Sequence, residues 1–175
     1  MMATQLASRY EHDAEFLAEI LDCYQPHCRY LRWAAVDLAG DTIRGSAALA
    51  IPQSCYINDT GHLNSVEVNI CYNQMLYQAI ATAVRHRLGA VFSTWSMADF
   101  RRRKLSDVLI ARFTSSFHRP IDPRSFHGEI SLDTVIQRRL RPDSDPLISM
   151  ETSFRYWDDN GGSCTGNARV AIVGR

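Results

Sequence analysis

The hydrophobic pattern of the chain predicts two helices of unequal length. Apolar side chains in residues 13–24 recur every three or four positions, which is typical of an amphipathic helix, and Pro26 ends it. A longer and more apolar helix is predicted from about Asn64 to Arg87, with Gly89 at the position where helices commonly stop. We expect this second helix to be buried in the core.

Much of the remaining chain alternates apolar and polar residues, which predicts strands. Residues 30–38 and 42–51 are expected to form a hairpin, because the short Ala-Gly-Asp segment between them favours a turn. Residues 97–106 are polar and are expected to hold a helical turn. Further strands are predicted over residues 91–95, 107–117, 126–140, 147–157 and 166–173.

The order of these elements predicts the fold class. One long helix follows an early hairpin and precedes several long strands, which favours an α+β domain. We expect one curved antiparallel sheet of about six strands, wrapped around the single long helix. The chain contains no repeat, linker or low-complexity segment, so residues 1–175 are predicted to form a single domain.

Composition narrows the class of protein and of partner. Of 175 residues, 46% are hydrophobic and 22% are charged, as in globular domains. The 19 basic and 19 acidic residues cancel, so the net charge implies no nucleic-acid partner. The N-terminus lacks a signal-peptide pattern and no apolar run reaches about 18 residues, which predicts a cytoplasmic protein without a membrane span. The five cysteines include no CxxC pair and are expected to be reduced.

The stretch from Tyr56 to Gln74, YINDTGHLNSVEVNICYNQ, concentrates polar side chains at the start of the apolar helix. Asn64 is a plausible N-cap, and Glu67 three residues later favours a capping box. The functional alternative is that free helix-start amides bind a carbonyl oxygen while His62 transfers a proton beside it.

Two amide side chains lie deeper in the predicted helix. Asn73 and Gln74 are unfavourable in an apolar helix unless their hydrogen bonds are satisfied. The sheet could satisfy them, or they could face a pocket or a subunit interface, and the sequence leaves both interpretations open.

Other polar residues give weaker signals. The remaining histidines show no metal-ligand spacing, and His86 is expected to be a solvated helix end that stabilises the C-terminal dipole. The basic run from Arg101 to Lys104 is expected to be a solvated face. Its alternative role is to meet the phosphates of coenzyme A or the acidic helix of a carrier protein.

The stretch from Tyr56 to Gln74 reads Y-I-x-x-T-G-H-x-N-x-V-E-x-x-x-C-x-N-Q and resembles a hotdog-fold family. Its members were first described as type III fatty acyl thioesterases and are now linked to (2E)-enoyl-ACP glycyltransferases of isonitrile lipopeptide and β-amino-acid pathways. The resemblance extends over most of the chain, through CRYL at Cys28–Leu31, Trp95-Ser96, Pro120–Pro123, and WDDNGG at Trp157–Gly162.

The resemblance implies an enzyme that adds glycine to the β-carbon of a (2E)-enoyl thioester on acyl carrier protein or coenzyme A, followed by thioester hydrolysis. It implies no metal or other cofactor, and a homo-oligomer with active sites at a dimer interface. His62 matches the histidine of T-G-H and is the candidate general base, with Tyr56 as the second catalytic residue. The substrate-binding candidates are Tyr24, Gly61, Asn64 and Asn73.

Two other functions stay open at this point. A plain acyl-thioester hydrolase would use the same carbonyl site with water in place of glycine. A non-catalytic dimeric acyl-binding domain would bind the thioester without turnover. If glycine is the substrate, its carboxylate needs a cation or several donors, for which Arg29 and Arg112 are candidates.

Overall fold

The computed structural model describes residues 8–139 and 141–174. Within these residues, seven strands form one sheet in the order β1-β2-β3-β5-β6-β7-β4, and all neighbouring strands are antiparallel. The strands are β1 Ser8–Tyr10, β2 Leu31–Ala39, β3 Thr42–Leu49, β4 Val108–Arg119, β5 Phe126–Arg138, β6 Leu147–Trp157 and β7 Ser163–Ile172. The helices are α1 Ala14–Ile20, α2 Ser65–Arg85 and α3 Met97–Arg103, with 3₁₀ turns at Leu21–Cys23, Pro26–Cys28 and Phe92–Thr94.

Helix α2 is the centre of the core. Every residue from Gln74 to Val84 is buried, so this half of the helix is enclosed on all sides. It packs against β2, β3 and β5, and α1 and α3 also contact it. Along β6 the even-numbered residues from Ile148 to Tyr156 are buried, as expected of a strand with one face on the core. The predicted hotdog arrangement, an antiparallel sheet around one long helix, is confirmed.

Local chemistry sets the two ends of α2. Asn64 is the N-cap, as predicted, and its Oδ1 accepts hydrogen bonds from backbone N–H groups of the first turn. At the other end the Leu88 N–H reaches the Ala83 carbonyl at 2.7 Å, in a Schellman motif. The residue with positive φ in this motif is Arg87, at 56°, so the helix ends before the predicted stop at Gly89.

Several predicted elements differ in type or extent. Residues 91–95 were predicted as a strand, which is wrong: Phe92–Thr94 is a 3₁₀ turn, and Phe92 packs edge-on against Trp95. A short apolar run does not distinguish these structures. The polar segment after it forms the complete helix α3, because Ser96 and Asp99 make a capping box. Strand β1 was not predicted, and the predicted strand end at residue 140 lies outside the described residues.

The interpretation of the basic run as a solvated face is wrong at two of its four residues. Arg103 is 3% exposed, pairs with Asp107 at 3.2 Å and lies over the Trp95 ring. Lys104 is also buried and pairs with Asp22 at 2.9 Å. Both cations therefore hold α3 against the rest of the fold. The exposed members are also paired, Arg101 with Glu19 and Arg102 with Asp145.

His86 does not behave as a freely solvated cation. Its ring lies 4.3 Å from that of Tyr10, centroid to centroid. Partial burial and the neighbouring Arg85 lower the pKa of His86 below its ordinary value, so the imidazole is neutral at pH 7. The expected interaction of a positive His86 with the helix dipole is therefore not supported.

Gln74 connects α2 to the beginning of β2. Its side chain is fully buried, and its Oε1 accepts hydrogen bonds from the Tyr30 and Leu31 N–H groups at 2.9 Å each. Its Nε2 donates to the Cys28 carbonyl at 2.6 Å. Of the two interpretations left open for Gln74, satisfaction by the sheet is therefore correct.

We expect Gln74→Leu to lower the free energy of unfolding by about 3 kcal/mol, because two buried N–H groups would lose their partner at about 1–3 kcal/mol each and the half-buried Cys28 carbonyl would lose its donor. Denaturant unfolding measures this. Gln137→Leu, at an exposed position of β5, is the matched control and should change stability by less than about 0.5 kcal/mol. Equal stability of the two variants would contradict the role assigned to Gln74.

Candidate active site

The segment that joins β3 to α2 forms the candidate site, and backbone hydrogen bonds hold both of its ends. The Ile51 N–H donates to the Pro123 carbonyl at 2.7 Å, and the Leu63 N–H donates to the Ile121 carbonyl at 2.9 Å. Between them, the Cys55 N–H donates to the Tyr30 hydroxyl at 3.2 Å. The loop between β4 and β5 therefore determines where the polar segment lies.

A buried carboxylate in turn holds that loop. Asp158 is 7% exposed, and its Oδ2 accepts a hydrogen bond from the Asp122 N–H at 2.7 Å. Its Oδ1 accepts from the Asn160 and Gly162 N–H groups at 2.9 and 2.8 Å. These backbone donors lower the pKa of Asp158. Sequence reasoning did not assign it a role, although the DDNGG turn that contains it was part of the family resemblance.

The turn at Asp59–Gly61 places His62 at the surface. Gly61 has a φ of 75°, which explains the glycine, and its N–H donates to Asp59 Oδ1 at 2.8 Å. The other carboxylate oxygen of Asp59 pairs with Arg124 at 3.0 Å. No contact in the described residues tests whether the Gly61 backbone approaches a substrate, so that role stays a prediction.

Asn64 organises the start of α2. Its Oδ1 accepts three hydrogen bonds: from the Val66 and Glu67 N–H groups at 3.1 Å each and from the Tyr56 hydroxyl at 2.8 Å. Its Nδ2 donates to Glu67 Oε2 at 2.7 Å. The predicted pairing of Asn64 with Glu67 is present. In a capping box the Glu67 side chain would accept from the backbone N–H of Asn64, whereas here it accepts from the side-chain Nδ2 of Asn64.

This cap corrects one expectation about the site. The helix-start amides were expected to be free for a carbonyl oxygen, but Asn64 Oδ1 occupies those of Val66 and Glu67. The Asn64 side chain offers a replacement, because an amide nitrogen has two hydrogens and Nδ2 uses one of them on Glu67. A donor therefore remains at the positive end of the helix.

His62 is exposed and lies next to this cluster in the chain. Its Nδ1 lies 3.0 Å from the Leu63 carbonyl oxygen. Because a carbonyl oxygen only accepts, the hydrogen of the neutral imidazole is on Nδ1, and Nε2 carries a free lone pair. This is the tautomer that a general base at Nε2 requires.

The other two predicted substrate-binding residues lie apart from this cluster. Asn73 donates from Nδ2 to the carbonyl and side-chain oxygens of Asn69, at 3.0 and 2.8 Å. Tyr24 is half-buried beside Tyr77, and burial raises its pKa far above the ordinary value, so its hydroxyl stays protonated. In the described part of the chain, neither side chain is hydrogen-bonded to Tyr56 or Asn64. The structure thus brings Tyr56 and Asn64 together, adds Glu67, and leaves Tyr24 and Asn73 in separate contacts.

The FcoT-like thioesterase domain family matches residues 19–172. The chain belongs to this family. Its backbone is also similar to that of a mutant thioesterase, PA1618, from Pseudomonas aeruginosa, with a TM-score of 0.49, 13% identity, and coverage of 93% of this chain and 95% of the other.

Curated relatives of this FcoT-like chain have one name in common. A (2E)-enoyl-[ACP] glycyltransferase of Streptomyces coeruleorubidus is 47% identical over 161 residues, which cover 92% of this chain and 97% of the relative. The protein of the same name from Mycobacterium bovis is 34% identical over 162 residues, or 91% of this chain and 86% of that one. Both alignments cover most of each chain, so the likeness is not confined to a short motif.

Two findings concern other classes of site. Among residues 8–139 and 141–174, no helix is long and apolar enough to cross a membrane. Within the same ranges, no three His, Cys, Asp or Glu side chains are placed as metal ligands. The expectation of a reaction without metal stays a prediction.

We expect the stability that Asp158 contributes to depend on pH. Its pKa is lower in the folded chain than the unfolded value of about 3.9, so the contribution is complete well above that value and disappears as the pH falls through it toward the folded pKa. Asp158→Asn should be less stable at pH 7 by about 1–3 kcal/mol, and the difference should shrink in acid.

Denaturant unfolding of both proteins between about pH 7 and pH 3 tests this. Asp133→Asn, at an exposed position of β5, is the control and should leave the pH profile unchanged. A stability difference at Asp158 that is constant across this range would show that the hydrogen bonds do not depend on the charge.

Proposed function

We propose that this enzyme adds glycine to the β-carbon of a (2E)-enoyl thioester carried on acyl carrier protein, giving a 3-(carboxymethylamino)acyl product. The observation that carries the proposal is the near full-length likeness, at 47% identity, to a protein named (2E)-enoyl-[ACP] glycyltransferase. The Tyr56–Asn64 cluster and the tautomer of His62 support it, because together they supply a donor for a carbonyl and an acceptor for a proton.

The reaction needs one base and one returned proton. His62 Nε2 takes a proton from the glycine ammonium, and the free amine attacks the β-carbon. As the C–N bond forms, the π electrons of the double bond move to the α-carbon and the thioester carbonyl as an enolate. The proton taken from the ammonium balances the one that the α-carbon then receives. General base catalysis of this kind contributes about 100- to 10,000-fold in rate.

The enolate oxygen needs a donor in the transition state. We assign this role to the second hydrogen of Asn64 Nδ2, since the cap already uses the Val66 and Glu67 amides. The Tyr56 hydroxyl donates to Asn64, so toward a substrate its oxygen acts as an acceptor. Tyr56 therefore suits the ammonium or amine of glycine better than it suits the thioester carbonyl.

The glycine carboxylate needs a cation or several hydrogen-bond donors. Arg29 is a weak candidate, because its guanidinium donates to the carbonyl oxygens of Tyr24 and Asp22. Arg112 lies exposed on β4 and remains a candidate. Arg124 was not predicted but pairs with Asp59 in the turn next to Gly61, which makes it a third candidate at the candidate site itself.

A homo-oligomer would complete the site. Tyr56, Ile57 and Val66 beside the start of α2 are about half exposed, at 50%, 49% and 47%. Exposed large side chains around a polar cluster are typical of an interface. A second subunit that packs against them would exclude water from the reaction. The acyl chain and Tyr24 or Asn73 could then meet the cluster across that interface.

Plain thioester hydrolysis is the second candidate function, and the description of the family as thioesterase-like favours it. Water would take the place of glycine and attack the carbonyl carbon. The two activities also form a possible sequence on one enzyme, with addition first and hydrolysis of the adduct second.

Mass spectrometry of a short enoyl thioester on acyl carrier protein, incubated with and without glycine, separates these functions. We expect a glycine adduct with the wild-type enzyme and a rate about 100-fold lower with His62→Ala, because the base is removed. His118→Ala is the control, since this exposed histidine bonds Thr165 on the sheet and should not affect the rate.

Release of free enoic acid at the same rate with or without glycine would contradict the proposal and leave a thioesterase. The same assay with the coenzyme A thioester identifies the preferred carrier. Binding of the thioester without turnover under any condition would leave only an acyl-binding domain.

A further inference from the structure

Glu67 is a buried acid whose hydrogen bonding is incomplete. Its side chain is 2% exposed, and its Oε2 accepts from Asn64 Nδ2 at 2.7 Å. Its Oε1 is buried and has no hydrogen-bond partner among the described residues. Nor does any Lys, Arg or His in this part of the chain form an ion pair with it.

Helix capping alone does not account for this arrangement. A buried carboxylate oxygen without a partner destabilises the fold, because the desolvation of the group is not compensated. A neutral glutamine could accept the same hydrogen bond from Asn64 without a buried charge. A residue that costs stability at a candidate active site suggests that its charge serves the chemistry.

The Glu67 carboxylate and the helix-start N–H groups favour the same orientation of the Asn64 side-chain amide. A carboxylate only accepts hydrogen bonds, so the Nδ2 of Asn64 faces Glu67 and its Oδ1 faces the opposite way. That orientation directs Oδ1 to the helix-start amides and to the Tyr56 hydroxyl. The hydroxyl hydrogen of Tyr56 is thereby used, and the free lone pair of its oxygen remains on a side chain that is 50% exposed.

The charge of Glu67 also acts on Tyr56 directly. Desolvation and then the negative charge of Glu67 raise the pKa of Tyr56, so it stays a neutral phenol at physiological pH. A cationic group that binds at the Tyr56 oxygen would be stabilised both by this hydrogen-bond acceptor and by the negative charge of Glu67. A neutral nucleophile such as water gains less from the same arrangement, because it carries no net charge.

We propose that Glu67 is a positioning residue which, through Asn64 and Tyr56, makes this site recognise the ammonium group of an amino-acid nucleophile. The inference rests on the proposed function and extends it. It assigns the preference for glycine over water to Glu67, which contacts neither glycine nor the thioester.

The test is the steady-state kinetics of Glu67→Gln, with glycine and the enoyl thioester varied in turn. Glutamine has nearly the same shape and can still accept from Asn64, so we expect the KM for glycine to rise about 10-fold, which corresponds to about 1.4 kcal/mol. The KM for the thioester and its hydrolysis without glycine should change less than about twofold. The melting temperature should stay equal or rise, because a buried charge is removed.

A matched control and a second variant keep the outcome clear. Glu151→Gln, at a partly exposed position of β6 that pairs with Arg169, should leave both KM values unchanged. Should Glu67→Gln fail to fold, Tyr56→Phe tests the same route, since it removes the acceptor oxygen and should raise the KM for glycine more than that for the thioester.

Each other result overturns the inference. If Glu67→Gln raised the KM for glycine and the KM for the thioester equally, Glu67 would only maintain the structure of the site. An unchanged KM for glycine would mean that its charge plays no part. A wild-type enzyme that forms no glycine adduct would overturn the proposed function together with this inference, whereas an adduct formed equally well by Glu67→Gln would overturn this inference alone.

Discussion

The enclosure of α2 is the constraint on which the other features of this domain depend. Side chains on the buried faces of this helix have no water to satisfy their polar groups, so most of their hydrogen-bond partners must come from the surrounding structure. The hydroxyl groups of Tyr72 and of Thr152 on β6 are hydrogen-bonded at 2.6 Å. The Tyr156 hydroxyl donates to the Val68 carbonyl, and the Gln74 side chain accepts from the backbone just before β2. These contacts fix the rotation of the helix about its axis. They thereby fix the direction in which Asn64 faces at the start of the helix.

Residues that are distant in the sequence also determine where the candidate site lies. Asp158 bonds the Asp122 N–H, the neighbouring Ile121 carbonyl accepts from Leu63, and Leu63 precedes the N-cap. A carboxylate near the end of β6 thus controls the approach of the chain to α2. This arrangement leaves much of the polar segment exposed to solvent, while hydrogen bonds to the loop between β4 and β5 hold its two ends.

Sequence reasoning succeeded where the deciding interactions are local. The helix start at Asn64 follows from a side chain that bonds amides two and three residues later, and the strands follow from alternation. It failed where a distant partner decides: Arg103 is buried because Asp107 and Trp95 surround it, and the run around it reads as exposed. The missing hydrogen-bond partner of Glu67 has no sequence signal at all. The grouping of Tyr56 with Asn64 came from the family resemblance, because the seven loop residues between them have no periodicity that predicts a contact.

The positive φ of Arg87 has a consequence for engineering. A side chain with a Cβ in this conformation is strained by about 1 kcal/mol, and glycine is the residue that removes such strain. The intervening helix of 21 residues separates Arg87 from the polar cluster by about 30 Å. Arg87→Gly should therefore raise the stability of the fold. In that background, destabilising substitutions at the other end of the helix can be tested in a protein that still folds.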